Sequence, residues 1–186
     1  MKLQKLTNII LISTLVLTPI VYQTINISKT IAANNINNTK QNIRSQFKTY
    51  TLNRTISISY PSKWLFFKAD DNYVYVTNKQ PKFTEFWPYG FIKTDIAIEP
   101  ASLKDRLKYY TSTNELVTGI LKVENIRINN RDGYRILSTN GEINIISTIG
   151  YVSANRTVSI NTFHNAKNTK ILPTVYKIHN SLKVLK

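Results

Sequence analysis

Two histidines, one pair of adjacent aspartates and an aromatic stretch studded with lysines are the residues here with chemistry to offer. His164 closes the run TVSINTFH, and His179 follows fifteen residues later in a segment of helical spacing. Two imidazoles at that separation could share one surface pocket, but a metal ion needs at least a third ligand. No acid follows Glu142, and the chain has no cysteine. The histidines are therefore expected to serve packing or the surface rather than a metal. Asp70-Asp71 is the one close pair of acids, and it reads better as the polar tip of a hairpin than as an acid–base pair. The G-x-S-x-G pattern is absent, and Gly90, Gly119, Gly133, Gly141 and Gly150 are too scattered to cradle a phosphate. The sequence thus predicts no catalytic residue, no cofactor and no metal.

What remains is surface. Asn78 to Phe91, NKQPKFTEFWPYGF, interleaves Lys79 and Lys82 with five aromatic residues, and its prolines break regular structure. Aromatic anchors rimmed by cations suit a protein interface, because they bury much area at low entropic cost. Equally, Phe86, Trp87 and Tyr89 could cap one edge of a sheet core. The same composition suits single-stranded nucleic acid, a partner not expected of an exported protein. Basic residues recur late, at Arg156, Lys167, Lys170, Lys177, Lys183 and Lys186, and the whole chain carries a formal +15. A charge of that size favours acidic partners and says nothing about fold. The candidate partner-binding residues are accordingly Lys79, Lys82, Phe86, Trp87, Tyr89, Arg156, Lys167, Lys170 and Lys177, facing an acidic membrane protein complex or an anionic membrane surface. A monomer is expected.

The amino terminus carries Lys2 and Lys5 and then NIILISTLVLTPIV, which matches the n-region and h-region of a secretory signal. Residues 1–33 are read as a signal peptide, with an uncleaved anchor as the alternative, and export to a periplasm or thylakoid lumen follows. Losing Lys2, Lys5 and Lys29 with that segment leaves +12. Residues 34–46 form a polar, asparagine-rich linker, and 47–186 a single domain.

The elements that must position the surface residues are mostly strands. Ile56–Tyr60, Trp64–Lys68, Tyr73–Thr77 and Lys93–Glu99 alternate with period two and read as a β meander. From Ser102, a candidate N-cap, Leu103, Leu107 and Tyr110 share one face of a short helix, with Lys104, Asp105, Arg106 and Lys108 covering the rest. Four further strands follow, at Gly119–Asn129, Tyr134–Thr139, Glu142–Val152 and Thr157–Phe163. They are joined at Asn130–Gly133, Asn140-Gly141 and Ser153–Arg156, all hairpin chemistry. Leu172, Val175, Tyr176, Ile178 or His179 and Leu182 then mark a terminal helix. Strands, helix, strands, helix with antiparallel connections argue an α+β fold built on one antiparallel sheet.

YPSKW after a short strand, GFIKTDIAIEP before a helix, RINNRDGYRI, YVSANRTVSI and the closing IHNSLKVL together resemble the Mog1/PsbP-type fold. In particular they look like the exported PsbP-like proteins of cyanobacteria, over about Phe47 to Val184. The resemblance implies an α-β-α sandwich around a central antiparallel sheet. It also implies a non-enzymatic extrinsic or assembly role at a membrane complex such as photosystem II. A periplasmic ligand-binding module, or an enzyme with a pocket inside the sandwich, is the alternative. No functional residue of that family matches a position here.

Overall fold

The computed structural model describes residues 46–81, 88–113 and 117–185. The chain is α+β. Strands β1 (Phe47–Leu52) and β2 (Ile56–Pro61) form a hairpin whose turn places Asn53 and Arg54 at φ 46° and 51°. The last strand, β10 (Lys183–Val184), returns to pair with Ser57 and Ile56, completing a three-stranded sheet in the order β1-β2-β10.

A larger sheet contains β3 (Leu65–Lys68), β4 (Tyr73–Thr77), β5 (Ile92–Glu99), β6 (Gly119–Ile128), β7 (Arg131–Thr139), β8 (Ile143–Ser153) and β9 (Arg156–Asn165). Its order is β3-β4-β5-β9-β8-β7-β6, and every neighbouring pair is antiparallel. Helix α1 (Leu103–Tyr110) follows β5, and α2 (Leu172–Asn180) follows β9 after a 3-10 turn at Thr169–Ile171.

The expected single sheet is therefore two. The division falls at Pro61, which has no N–H to continue a ladder. One last bond to β1 runs from Ser62 N to Gln46 O at 2.8 Å, and the chain then turns, with Trp64 N bonded to Pro61 O at 3.0 Å. Strand β1 is an addition to the expected elements, because its exposed Lys48, Thr49 and Thr51 blur the alternation. The β6–β7 turn sits at Asn129-Asn130, one residue earlier than the Asn130–Gly133 reading. Both asparagines have positive φ, 50° and 63°, as a two-residue primed hairpin turn requires. Gly133 lies inside β7 for a different reason: a Cβ there would stand 2.7 Å from the Ile149 carbonyl oxygen.

Cross-strand partners share a face of a sheet, so the register sorts the large sheet into two surfaces. Ile96, Val158 and Ile160 face Ile56, Ile58, Ile178, Leu182 and Val184, burying the main core between the large sheet, the small sheet and α2. Fully burying an aliphatic side chain contributes roughly 1.5–3 kcal/mol, and this cluster supplies most of the fold's cohesion. Over β7–β9 the opposite face is covered, among the described elements, by α1. Ser102 caps that helix, accepting from Asp105 N at 3.1 Å. Arg106, expected on the solvent side, is half-buried. It pairs with Glu99, and its guanidinium lies 5.2 Å from the Tyr109 ring centroid and 5.9 Å from that of Tyr110.

Candidate docking surface

The pairing of β5 with β9 joins two parts of the sequence that are far apart. Ile92 stands opposite His164 and Lys93 opposite Phe163, so the segment around Lys79 and Tyr89 and the segment after Asn165 emerge at the same end of the large sheet. Asn78 holds the first segment in place. Its Nδ2 donates to Gly90 O at 2.7 Å, and its Oδ1 accepts from Ile92 N at 2.9 Å. Gly90, at φ 77°, closes this turn. The second segment is pinned by Ala166 N to Glu142 O at 2.8 Å and Lys167 N to Asn165 Oδ1 at 3.0 Å.

Lys63, Lys79, Lys167 and Lys170, all exposed, flank strand ends on this side of the large sheet, where Glu142 is the exposed carboxylate among the described residues. Tyr89, 69% exposed, stands among them, and Lys79 Nζ donates to its carbonyl at 3.3 Å. Among the described residues none of these four lysines makes an ion pair. The opposite end mixes signs: Lys68 pairs with Asp71 at 2.7 Å, and Arg127 pairs with Asp132. An excess of cations outside ion pairs at one end, among the described residues, is an electrostatic handle for an acidic partner.

The remaining candidates divide. Arg156 opens β9 and so lies at the mixed end, on the order of 30 Å from Lys167 at about 3.3 Å per residue. It leaves the expected basic face, because an antiparallel strand carries its two ends to opposite edges of the sheet. Lys177 is exposed on α2, with its ammonium 4.3 Å from the ring centroid of the partly buried Phe47, a cation–π contact. Lys82, Phe86 and Trp87 lie outside the described residues.

Both histidines are buried rather than at the surface, and they do not share a pocket; His179 borders an open depression with Arg127, Arg135 and Lys183. His179 Nδ1 lies 2.8 Å from Thr148 Oγ1, and its Nε2 lies 2.9 Å from Thr162 Oγ1, which in turn is 2.8 Å from Thr94 Oγ1. This chain of hydroxyls ties α2 to β8, β9 and β5. Burial, with the Arg135 guanidinium acting in the same direction, pushes the His179 pKa down to about 3, so the imidazole is neutral. His164 donates from Nδ1 to Asn165 O at 2.9 Å, and burial lowers its pKa too. Among the described residues no three His, Cys, Asp or Glu side chains are gathered as metal ligands. Nor is any described helix long and apolar enough to cross a membrane.

No protein-family model matches the sequence, and no curated protein matches it. Among solved structures the chain is similar to a Bacteroides thetaiotaomicron protein, at 12% identity and TM-score 0.48 over 76% of this chain. The match takes in 49% of the Bacteroides protein, about half its length. It is also similar to cyanobacterial PsbP from Synechocystis, at 8% identity and TM-score 0.49, covering 75% of this chain and 93% of that one. A Pseudomonas aeruginosa protein of unknown function is similar at 10% identity and TM-score 0.47, covering 73% and 95%. The α+β architecture stands on the strands, register and helices described above.

Proposed function

We propose that this protein is an exported, non-catalytic docking module that binds the acidic face of a membrane protein complex through the basic end of its large sheet. One observation carries the reading. The β5–β9 pairing gathers exposed Lys79, Lys167 and Lys170 around exposed Tyr89, with no ion pair among the described residues to neutralise them. Lysines in ion pairs would have to break them to bind, whereas these give up water, counterions and, for Lys79, a long hydrogen bond to the Tyr89 carbonyl. Tyr89 adds an amphipathic anchor of the kind enriched at interfaces. Export rests on the basic and apolar amino terminus.

The test is binding of the purified mature protein to membranes of the source organism at low and high salt. Docking predicts release by high salt, and loss of binding in the triple variant Lys79→Glu, Lys167→Glu, Lys170→Glu. Equal binding to protein-free anionic vesicles would move the partner from protein to lipid, and salt-insensitive binding would remove the electrostatic premise altogether. Photosystem II is the narrower target that the family resemblance implies. Under that version, deleting the gene lowers oxygen evolution; with another envelope complex, oxygen evolution is unchanged.

A further inference from the structure

Strand β6 forms one edge of the large sheet, and among the described residues it has a strand partner on one side only, β7. At 10 residues it is much longer than the short edge strands with which proteins discourage further pairing. Its surface is open: Leu121 is 56% and Val123 45% exposed, and the side chains of Lys122 and Glu124 are 63% and 41% exposed. The two-residue turn at Asn129-Asn130 makes Ile128 and Arg131 the first hydrogen-bonded pair of the β6–β7 ladder. Such pairs alternate along an antiparallel ladder. Ile126 and Glu124 therefore bond toward β7, while Val123, Asn125 and Arg127 turn their N–H and C=O groups to the open edge.

An open edge of this kind accepts another strand, and the charges on β6 decide which one. A lysine alone on an edge repels a second copy. Here Lys122 and Glu124 stand two residues apart on the same face, with Nζ 2.5 Å from Oε1. When β6 meets its own copy antiparallel about a two-fold axis through Val123, each Lys122 stands opposite the other chain's Glu124, and both cross-strand pairs are attractive. Moving the axis one residue either way sets Lys122 against Lys122 or Glu124 against Glu124. An axis at Asn125 sets Lys122 against the buried Ile128 and Glu124 against Ile126. We propose that β6 pairs antiparallel with β6 of a second copy of this chain, in the register centred on Val123, joining two seven-stranded sheets into one. Val123 lies against its own copy and Asn125 opposite Leu121, where the β-bulge between Ile120 and Lys122 ends the pairing. So short a contact is a weak interface, formed where the protein is concentrated. The edge is separate from the lysines at the end of the sheet, and the dimer does not depend on docking there.

The experiment is sedimentation equilibrium of the mature protein from micromolar to millimolar concentration, with disulfide trapping to read the register. Dimer is expected to accumulate as concentration rises. A protein monomeric throughout would overturn the proposal, including the case in which the edge takes a strand from a different protein. Lys122→Glu turns both opposite-charge pairs into like-charge pairs and is expected to weaken the dimer roughly 10-fold. The doubly reversed variant Lys122→Glu, Glu124→Lys restores both pairs and is expected to return to within about 3-fold of wild type. The chain has no cysteine, so Val123→Cys supplies a single thiol at the axis, with its Cα about 5.5 Å from that of its copy and within disulfide reach. In Asn125→Cys the two Cα atoms are on the order of 14 Å apart, out of reach. Oxidation is expected to cross-link the first variant and not the second. A Lys122→Glu dimer as strong as wild type, no recovery in the reversed variant, or equal cross-linking of the two cysteine variants would each overturn the proposal. The concentration dependence of the native protein needs no substitution, so it decides the dimer even if a variant is poorly folded.

Discussion

Acid should unfold this protein through His179, and the size of the effect follows from where that imidazole sits. The ring is buried between α2 and the large sheet, with Thr148 and Thr162 on its two nitrogens and Arg135 as the nearby charge. The folded-state pKa is lowered from the ordinary 6.5 to about 3. Between those values the unfolded chain binds a proton that the folded chain refuses. Stability from this group is therefore complete above pH 6.5 and lost as pH falls toward 3. The loss is about 1.4 kcal/mol at pH 5.5 and about 2.7 kcal/mol at pH 4.5, a large share of the 5–15 kcal/mol typical of a domain. Urea titrations at pH 7.5, 5.5 and 4.5, followed by circular dichroism, measure it. His164 shifts in the same direction, so the wild-type slope contains both histidines. His179→Gln isolates one of them. It should be less stable than wild type at pH 7.5, yet lose about 1.4 kcal/mol less on going to pH 5.5. A variant that keeps the full wild-type acid slope would show that His179 is not held neutral by burial.

Gly133→Ala should destabilise by about 1–3 kcal/mol or more, because the new Cβ meets the Ile149 carbonyl oxygen at 2.7 Å and Ile128 Cδ1 at 3.0 Å; thermal melting checks this, and Gly119→Ala, with only a 3.7 Å neighbour, is the mild control. Ser102→Ala removes the cap of α1 at a cost of about 1 kcal/mol, read most directly as faster hydrogen exchange at the Asp105 and Arg106 amides. Ile160→Ala, at the centre of the core between the two sheets, should cost about 2–5 kcal/mol in urea unfolding.

How far the sequence reveals these arrangements depends on whether the deciding interaction is local. The alternation of Tyr73–Thr77 and Lys93–Glu99, the Asp70–Asn72 turn and the Ser102 cap are set by near neighbours, and the corresponding elements are present. The partition into two sheets is not local. Pro61 signals the end of a ladder, but β2 joins the small sheet through Ser57 and Lys183, at opposite ends of the chain. The docking end depends in the same way on Ile92 meeting His164, which gathers Lys167 with Lys79 and sends Arg156 away. Ser147 and Asn161 come together opposite each other under α1 only through the register of β8 with β9, which no local pattern shows. Arg106 misleads for a related reason: a cation on a short helix looks solvated until Glu99 at the end of β5 is brought beneath it.

The central claim is that the lysines at one end of the large sheet hold this protein to an acidic membrane complex. Co-sedimentation of the mature protein with native membranes, measured as a function of salt for wild type and for the Lys79→Glu, Lys167→Glu, Lys170→Glu variant, tests it most directly. The account predicts wild-type binding that falls steeply as salt rises, and little binding by the variant at any salt. Wild type and variant that sediment alike, with no dependence on salt, would contradict it.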